Sequence, residues 1–220
     1  MDNLAKKKIK EIVSSSGYVV AEMDKTKHDI FPVSFDPEEG ESLQELVQEE
    51  DPQTVIEIGL GYGFAALNVF AAKNLSKESN FRLITIDPNQ DSRFSNVGLQ
   101  LLREVNALKY VKFHKDPSEF VLPDLIKTEQ EADFAIVDGN HRFEHVVVDL
   151  FFLGRILKLG SLIFIDDIQL TGIKKAVLFF MKNLEWKIEK EGRSSKHHEW
   201  AALRTRSEAL ERSYDSFVDF

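Results

Sequence analysis

Short apolar runs alternate with longer amphipathic stretches from about residue 54 onward. Five runs rich in β-branched and other apolar residues have the length of buried strands: 55–58, 82–86, 111–113, 134–137 and 162–165. Apolar residues at helical spacing predict the helices that follow them: 64–73, 92–107, 118–128, 141–157 and 172–183. This alternation predicts a doubly wound α/β domain, whose mostly parallel sheet carries helices on both faces.

The two ends of the chain differ from this repeat. Residues 1–50 are polar with helical stretches at both ends and a turn-rich middle, which predicts a helical extension ending in a short helix over 41–50. Strand-like runs at 185–190 and 200–204 predict a hairpin that adds an antiparallel strand to the sheet. We therefore expect a helical extension or lid (1–50), a sheet domain (51–204) and a polar, partly ordered tail (205–220).

Composition narrows the classes of function. The chain of 220 residues has no cysteine, which excludes thiol catalysis and disulfides and suits a reducing compartment. A formal net charge of −9 argues against sequence-independent nucleic-acid binding. No apolar run approaches the roughly 20 residues of a membrane span, and the lysine-rich N-terminus does not read as a secretory signal. We expect a cytoplasmic protein with neither a nucleic-acid nor a membrane partner.

Three glycines at alternate positions form the most informative motif. Gly59, Gly61 and Gly63 follow the first strand of the repeat and its acidic residue Glu57, and they lead directly into a helix. Glycines let the backbone approach a ligand closely, and the N–H groups at the start of the helix point toward that ligand. The motif predicts a nucleotide-like ligand at the tip of the sheet; the alternative is a tight strand-to-helix turn without a ligand.

Acidic residues also follow the next two strands. Asp87 ends the second strand, where its carboxylate can accept hydrogen bonds from both hydroxyls of a ribose, or can cap a turn with Pro88. Asp116 follows the third strand and either contacts an adenine or caps the helix that begins at Ser118.

Taken together, the glycine motif and Asp87 resemble the class I S-adenosylmethionine-dependent methyltransferases over residues 54–204. The resemblance implies S-adenosyl-L-methionine as cofactor and a seven-stranded sheet of order 3-2-1-4-5-7-6 with the last strand antiparallel. It also implies that the three glycines pass close to the methionine moiety, that Glu57 lies beneath the loop and that Asp87 holds the ribose. Phe64 stands where a dinucleotide-binding motif has glycine, which argues against the alternative of an NAD-dependent oxidoreductase.

A second group of acids follows the fourth and fifth strands. Asp138 and the pair Asp166 and Asp167 are separated by one helix, the length of a right-handed crossover. Parallel neighbours lie about 4.8 Å apart, so these carboxylates are expected to emerge side by side. Neither motif contains Lys or Arg, and a divalent cation such as Mg²⁺, Mn²⁺ or Ca²⁺ would relieve their repulsion. The alternative is that these acids only cap helices.

This arrangement is similar to the metal-dependent O-methyltransferase branch of the same superfamily. The resemblance implies metal ligands at Asp138, Asp166 and Asp167, with magnesium expected, and a small hydroxylated acceptor. His141 falls on the position of the base that deprotonates the acceptor, and an unperturbed imidazole can do so at neutral pH. Alternatives for His141 are substrate binding or a plain helix position. A homodimer and a non-catalytic S-adenosylmethionine-binding protein are also compatible with the sequence.

Three other histidines carry weaker expectations. His145 and Asp149 are one helical turn apart on an apolar helix, which favours a structural hydrogen bond over a second metal site. His197 and His198 fall in a polar loop and are expected to be a solvated pair.

Overall fold

The computed structural model describes residues 3–31, 33–73, 75, 79–194, 198–206 and 213–220. Residues 3–50, here called the N-terminal extension, contain α1 (Leu4–Ser14), β1 (Tyr18–Val20), β2 (Lys27–Asp29) and α2 (Pro37–Glu50). The antiparallel β1–β2 hairpin was not predicted, because strands of three residues are too short to show a period. Helix α2 begins earlier than predicted: Pro37 occupies its first turn, where the missing N–H costs nothing, and Asp36 caps it.

The central sheet has seven strands, and its predicted topology is confirmed. The strands are β3 (Thr54–Ile58), β4 (Arg82–Ile86), β5 (Val111–His114), β6 (Ala132–Val137), β7 (Leu157–Ile165), β8 (Lys187–Arg193) and β9 (Glu199–Arg204). Their order is β5-β4-β3-β6-β7-β9-β8, which is 3-2-1-4-5-7-6 when counted from β3. Only β9 runs antiparallel to its neighbours β7 and β8.

Helices cover both faces of this sheet, as predicted. They are α3 (Phe64–Ala72), α4 (Val97–Glu104), α5 (Ser118–Lys127), α6 (Phe143–Ile156) and α7 (Thr171–Leu184). Helices α1 to α4 pack into one apolar core with one face of the sheet, and α5 to α7 pack into a second core on the other face. No helix in the described ranges is both long and apolar enough to cross a membrane.

Helix α3 is buried on every side, whereas its sequence suggested an amphipathic helix. All eight residues from Phe64 to Ala71 are buried, because α1 and α2 of the N-terminal extension pack against the side that faces away from the sheet. Arg204 of β9 secures the end of α2 through two hydrogen bonds of 2.7 Å to the carboxylate of Glu50. The extension is therefore part of the packed core.

Two elements of the sheet domain, α4 and β7, begin well away from their predicted starts. Helix α4 begins at Val97 rather than at residue 92, because Ser95 and Asn96 adopt φ values of 48° and 57° that interrupt a right-handed helix. Strand β7 begins at Leu157, directly after α6 ends at Ile156, so the chain passes from helix to strand without a loop.

The C-terminal segment 213–220 lies against α7. The side chain of Asn183 exchanges two hydrogen bonds of 2.9 Å with the backbone of Val218. The ring of Phe220 packs edge-on against Phe179. Residues 207–212 of the predicted polar tail lie outside the described residues.

Candidate functional site

A cavity of about 570 Å³ opens at the carboxyl ends of β3, β4 and β6. Its walls come from the glycine loop after β3, the turn after β4, the start of α5 and the loop after β6. Val33, Ser34 and Phe35 of the N-terminal extension close one side. Ligands of doubly wound folds bind at this edge of the sheet, where strand order reverses on either side of the first strand.

The predicted cofactor glycines have different roles. All three have positive φ: 94° at Gly59, 51° at Gly61 and 78° at Gly63. A Cβ on Gly59 would lie 2.0 Å from the carbonyl oxygen of Asp138, and a Cβ on Gly63 would lie 2.9 Å from Cα of Gly98. A Cβ on Gly61 would meet no atom within 4 Å, and Gly61 lines the cavity. Gly59 and Gly63 therefore permit close packing, while Gly61 leaves room for a ligand.

Asp87 lines the cavity and also holds the glycine loop. Its Oδ2 accepts hydrogen bonds from the backbone N–H of Gly61 (2.8 Å) and from the side chain of Gln90 (2.9 Å). Its Oδ1 accepts from the backbone N–H of Asn89 (2.7 Å). Since each carboxylate oxygen has about two acceptor positions, Oδ1 retains one for a ligand hydroxyl. Gln90 also donates to the carbonyl of Gly61, a contact that nothing in the sequence indicated.

Glu57 lies under the loop, as the resemblance implied, and is fully buried outside the cavity. The hydroxyl of Thr85 donates to its Oε2 at 2.5 Å. Burial raises the pKa of Glu57 to about 8, against the opposing effect of the Thr85 hydrogen bond. At neutral pH this carboxyl group is mostly protonated.

Asp116 lies in solvent and is not one of the residues that line the cavity. Pro117, rather than Asp116, stands at the N-cap of α5, and this cap has no side-chain hydrogen bond. Ser118 and Glu119 face the cavity at this position instead.

His141 lies between two of the predicted metal ligands. Its Nδ1 is 2.9 Å from Oδ2 of Asp167, and its Nε2 is 3.4 Å from Oδ1 of Asp138. Hydrogen bonds to Asp138 and Asp167 raise the pKa of His141 to about 10. The imidazole is therefore a cation at neutral pH in this arrangement, and it can act as the predicted base only after it separates from these carboxylates.

The third predicted ligand, Asp166, lies close to Asp138 and Asp167 and also belongs to a second group of side chains. Oxygen and nitrogen atoms of Glu39, Asp166 and His198 all lie within 4.8 Å of one another. Both carboxylate oxygens of Glu39 are buried, and neither accepts a hydrogen bond from an ordinary donor among the described residues. Burial, and next the negative charge of Asp166, raise the pKa of Glu39 far above its usual range. The structure thus adds Glu39 and His198 to the acidic edge of the sheet.

Burial and charge set the protonation of the other acids. Burial, followed by the charge of Asp166, raises the pKa of Asp138 well above its ordinary value. Burial also raises the pKa of Asp166. For Asp167, burial opposes ionisation, but hydrogen bonds from His141 and Gln169 outweigh it and lower the pKa.

The expectations for the other histidines need correction. His198 is half-buried, and its Nδ1 lies 3.5 Å from Oδ1 of Asp167 at the acidic edge, so it is not the fully solvated residue that was expected; His197 lies outside the described residues. Asp149 is buried, and its carboxylate is hydrogen-bonded to Ser118 rather than to His145 as expected. His145 lines the cavity.

The residues present fit both of the expected ligands. Positive φ at Gly59 and Gly61 and the remaining acceptor position of Asp87 suit a nucleoside in the cavity. The clustered carboxylates of Asp138, Asp166 and Asp167, with the two buried oxygens of Glu39 that accept no hydrogen bond from the described residues, suit a divalent cation, because burying such oxygens without a compensating charge is costly.

Comparisons with known proteins agree with this geometry. A family model described as "Methyltransferase domain" matches residues 56–168. The chain is 27% identical over 132 residues to "Rhamnosyl O-methyltransferase" proteins of Mycobacterium bovis and Mycobacterium tuberculosis. This match covers 60% of the chain and 52% of each relative, so the chain spans about half the length of the curated relatives it matches.

Solved structures share the fold across nearly the whole chain. An O-methyltransferase from Bacillus cereus in complex with SAH superposes with a TM-score of 0.70 at 14% identity, covering 94% of this chain and 92% of that one. The O-methyltransferase TomG from Streptomyces achromogenes in complex with SAM gives 0.68 at 16% identity, covering 94% and 99%. With its family match, its sheet order and its glycine-lined cavity, this chain belongs to the methyltransferase domain family.

Proposed function

We propose that this chain transfers a methyl group from S-adenosylmethionine to a hydroxyl group of a small molecule, assisted by a divalent cation. One observation carries the proposal: a single cavity is lined both by the glycine loop with Asp87 and by Asp138 with His141. A donor held by the first pair of features would face an acceptor held by the second.

At the donor end, the chain's own residues bind and orient S-adenosylmethionine. Gly59 and Gly61 let the backbone form a cavity wall close to the ligand. Asp87 holds the loop through its hydrogen bond with Gly61 and offers the remaining acceptor position of Oδ1 to a ribose hydroxyl. S-adenosylmethionine supplies a methyl group on a sulfonium, which leaves as a neutral thioether. Holding donor and acceptor in one cavity would account for much of the rate gain.

At the acceptor end, Asp138, Asp166 and Asp167 would hold the cation, magnesium by the sequence prediction. A bound divalent cation supplies positive charge that lowers the pKa of an acceptor hydroxyl. His141 would then take the hydroxyl proton, since positive charge at the carboxylates weakens their hold on the imidazolium and lowers its pKa. The acceptor oxygen forms a bond to the methyl carbon while the carbon–sulfur bond breaks.

The curated relatives favour a sugar hydroxyl as acceptor. They are described as rhamnosyl O-methyltransferases, and they match this chain over 60% of its length. The cavity wall around Asn140, His141 and Arg142 offers polar side chains that can form hydrogen bonds with a polyhydroxylated ring.

The test is a transfer assay with labelled S-adenosylmethionine and a panel of hydroxylated acceptors that includes rhamnosides and catechols. We expect label in at least one acceptor, with activity lost on chelation and restored by a divalent cation. Equal turnover with and without chelator would show that methyl transfer does not need a cation. Binding of S-adenosylmethionine by calorimetry without transfer to any acceptor would favour the non-catalytic alternative, and binding of NAD in its place would favour the oxidoreductase.

A further inference from the structure

We propose that Glu39, in the first turn of α2, is a ligand of the divalent cation and completes a set with Asp166 and His198. This inference rests on the cation of the proposed function and adds two residues to the three that the sequence predicted. It makes the N-terminal extension a part of the cation site.

The position of Glu39 is the first argument. Glu39 is 1% exposed, and neither Oε1 nor Oε2 accepts a hydrogen bond from an ordinary donor in the described part of the chain; the polar group beside them is the carboxyl group of Asp166. Acidic residues in the first turn of a helix normally point into solvent and stabilise the helix dipole there. Burying a carboxylate with two unsatisfied oxygens costs free energy, so a structure retains one only where something compensates it.

Distance is the second argument. One atom each from Glu39, Asp166 and His198 lies within 4.8 Å of the other two. Oxygen and nitrogen ligands stand about 2.0–2.2 Å from a transition-metal or magnesium ion, so small side-chain rotations would bring three atoms spaced in this way to a single ion. The three residues come from different parts of the chain: the N-terminal extension, the loop after β7, and the position just before β9.

The ligand chemistry points to a particular class of cation. Carboxylates alone suit Mg²⁺ or Ca²⁺, whereas an imidazole beside carboxylates suits a first-row transition metal better. We therefore expect Mn²⁺ to bind more tightly than Mg²⁺, and we expect His198 to account for the difference.

A proton shared between Glu39 and Asp166 is the competing explanation, since two neighbouring carboxyl groups can hold one proton between them. The two explanations differ in what Glu39 does for metal binding. A ligand is needed for affinity, whereas a proton-sharing partner competes with the cation, and its removal would leave affinity unchanged or raise it.

The experiment measures Mn²⁺ binding to the full chain by electron paramagnetic resonance and calorimetry, without donor or acceptor. Glu39→Gln should weaken Mn²⁺ binding by roughly tenfold or more. Glu39→Asp, which keeps the charge but withdraws the carboxylate, should also weaken it. The matched control is Glu41→Gln, the same change at an exposed position of the same helix, which should leave affinity unchanged. His198→Gln should weaken Mn²⁺ binding more than Mg²⁺ binding.

A second readout follows the extension itself. Mn²⁺ should slow backbone hydrogen exchange in α2 of the wild-type protein and of Glu41→Gln, but not of Glu39→Gln. Wild-type affinity in Glu39→Gln, or no binding of either cation by the wild-type protein, would overturn the inference.

These results are separable from the proposed function. Methyl transfer that depends on a cation, together with unchanged Mn²⁺ affinity in Glu39→Gln, would show that Glu39 is not a ligand and would still support the proposed function. Lost Mn²⁺ affinity in Glu39→Gln, together with no methyl transfer by the wild-type protein to any acceptor, would support the cation site and contradict the proposed function.

Discussion

Nδ1 of His141 lies 2.9 Å from Oδ2 of Asp167, and the hydrogen bonds of His141 to Asp138 and Asp167 together raise its pKa so that the predicted base is an acid at neutral pH. The position of His141, three residues after Asp138, indicated a proton acceptor. The structure shows its imidazole held between two carboxylates that favour the protonated form, so its role depends on what else binds those carboxylates.

The first prediction concerns the protonation of His141. In protein freed of divalent cations, we expect the His141 ring to stay protonated through neutral pH and to titrate at about 10. Its pKa is raised on folding, so the stability that this ion pair contributes is fully present below about pH 6.5 and is lost as the pH rises through about 10. Histidine nitrogen shifts in NMR spectra measure this titration.

Asp167→Asn is the informative variant, because it removes one of the two carboxylates that hold the imidazolium. It should move the pKa of His141 downward. A wild-type His141 that titrates at its ordinary value would show that the two contacts do not persist in solution.

The second prediction separates two glycines of the loop. Gly59→Ala should destabilise the fold, because its methyl group would lie 2.0 Å from the carbonyl oxygen of Asp138. Gly61→Ala should fold with a loss of only about 1–2 kcal/mol from its left-handed φ, since its methyl group meets no protein atom. It should nevertheless bind S-adenosylmethionine poorly, because that methyl group occupies the ligand's space. Thermal unfolding and calorimetry test the pair; normal donor affinity in Gly61→Ala would contradict the proposed cavity.

The third prediction concerns the pH dependence of stability. The pKa of Glu57 is raised to about 8 in the fold from 4.5. Its contribution is therefore fully present below about pH 4.5 and is lost as the pH rises through about 8. Glu57→Gln keeps an acceptor for Thr85 but cannot ionise, so its stability relative to wild type should grow with pH over this window, by on the order of a few kcal/mol. Urea denaturation at several pH values measures the difference; a difference independent of pH would show that Glu57 is ionised when folded.

The fourth prediction concerns Asp87. Asp87→Asn replaces an acceptor of two backbone N–H groups by an amide, so the glycine loop should loosen and donor affinity should fall by roughly ten- to a hundredfold. Asp91→Asn is the control: it makes the same change at a half-buried residue that is not among those lining the cavity and whose partner is Lys115. Calorimetry with S-adenosylmethionine compares them, and equal affinities in the two variants would exclude Asp87 from the donor site.

Much of the fold could be predicted because its signals are local. Buried parallel strands such as β3 and β6 are nearly continuous apolar runs, and the strand order followed from the resemblance carried by the glycines and Asp87. The β1–β2 hairpin was missed because its strands are too short for a period. The burial of α3 was missed because it depends on α1 and α2, which are distant in sequence.

The candidate site was predictable only where residues follow strands. Asp138 and Asp166 come directly after strand ends and His141 follows Asp138 by three residues, so the sheet places all three at one edge. Glu39 looks like any acidic residue at the start of a helix, and its burial follows only from how α2 packs. His198 lies beside a polar hairpin turn, and only the pairing of β9 with β7 brings it to Asp167.

The complete burial of α3 has a practical consequence. A shortened version of this protein that began at β3 would retain all seven sheet strands, yet it would expose the apolar outer side of α3 to water and lose the Glu50 partner of Arg204. Such a fragment should aggregate rather than bind ligand. The first fifty residues are therefore not a detachable cover that can be trimmed to simplify study, and tags or fusions are better attached elsewhere.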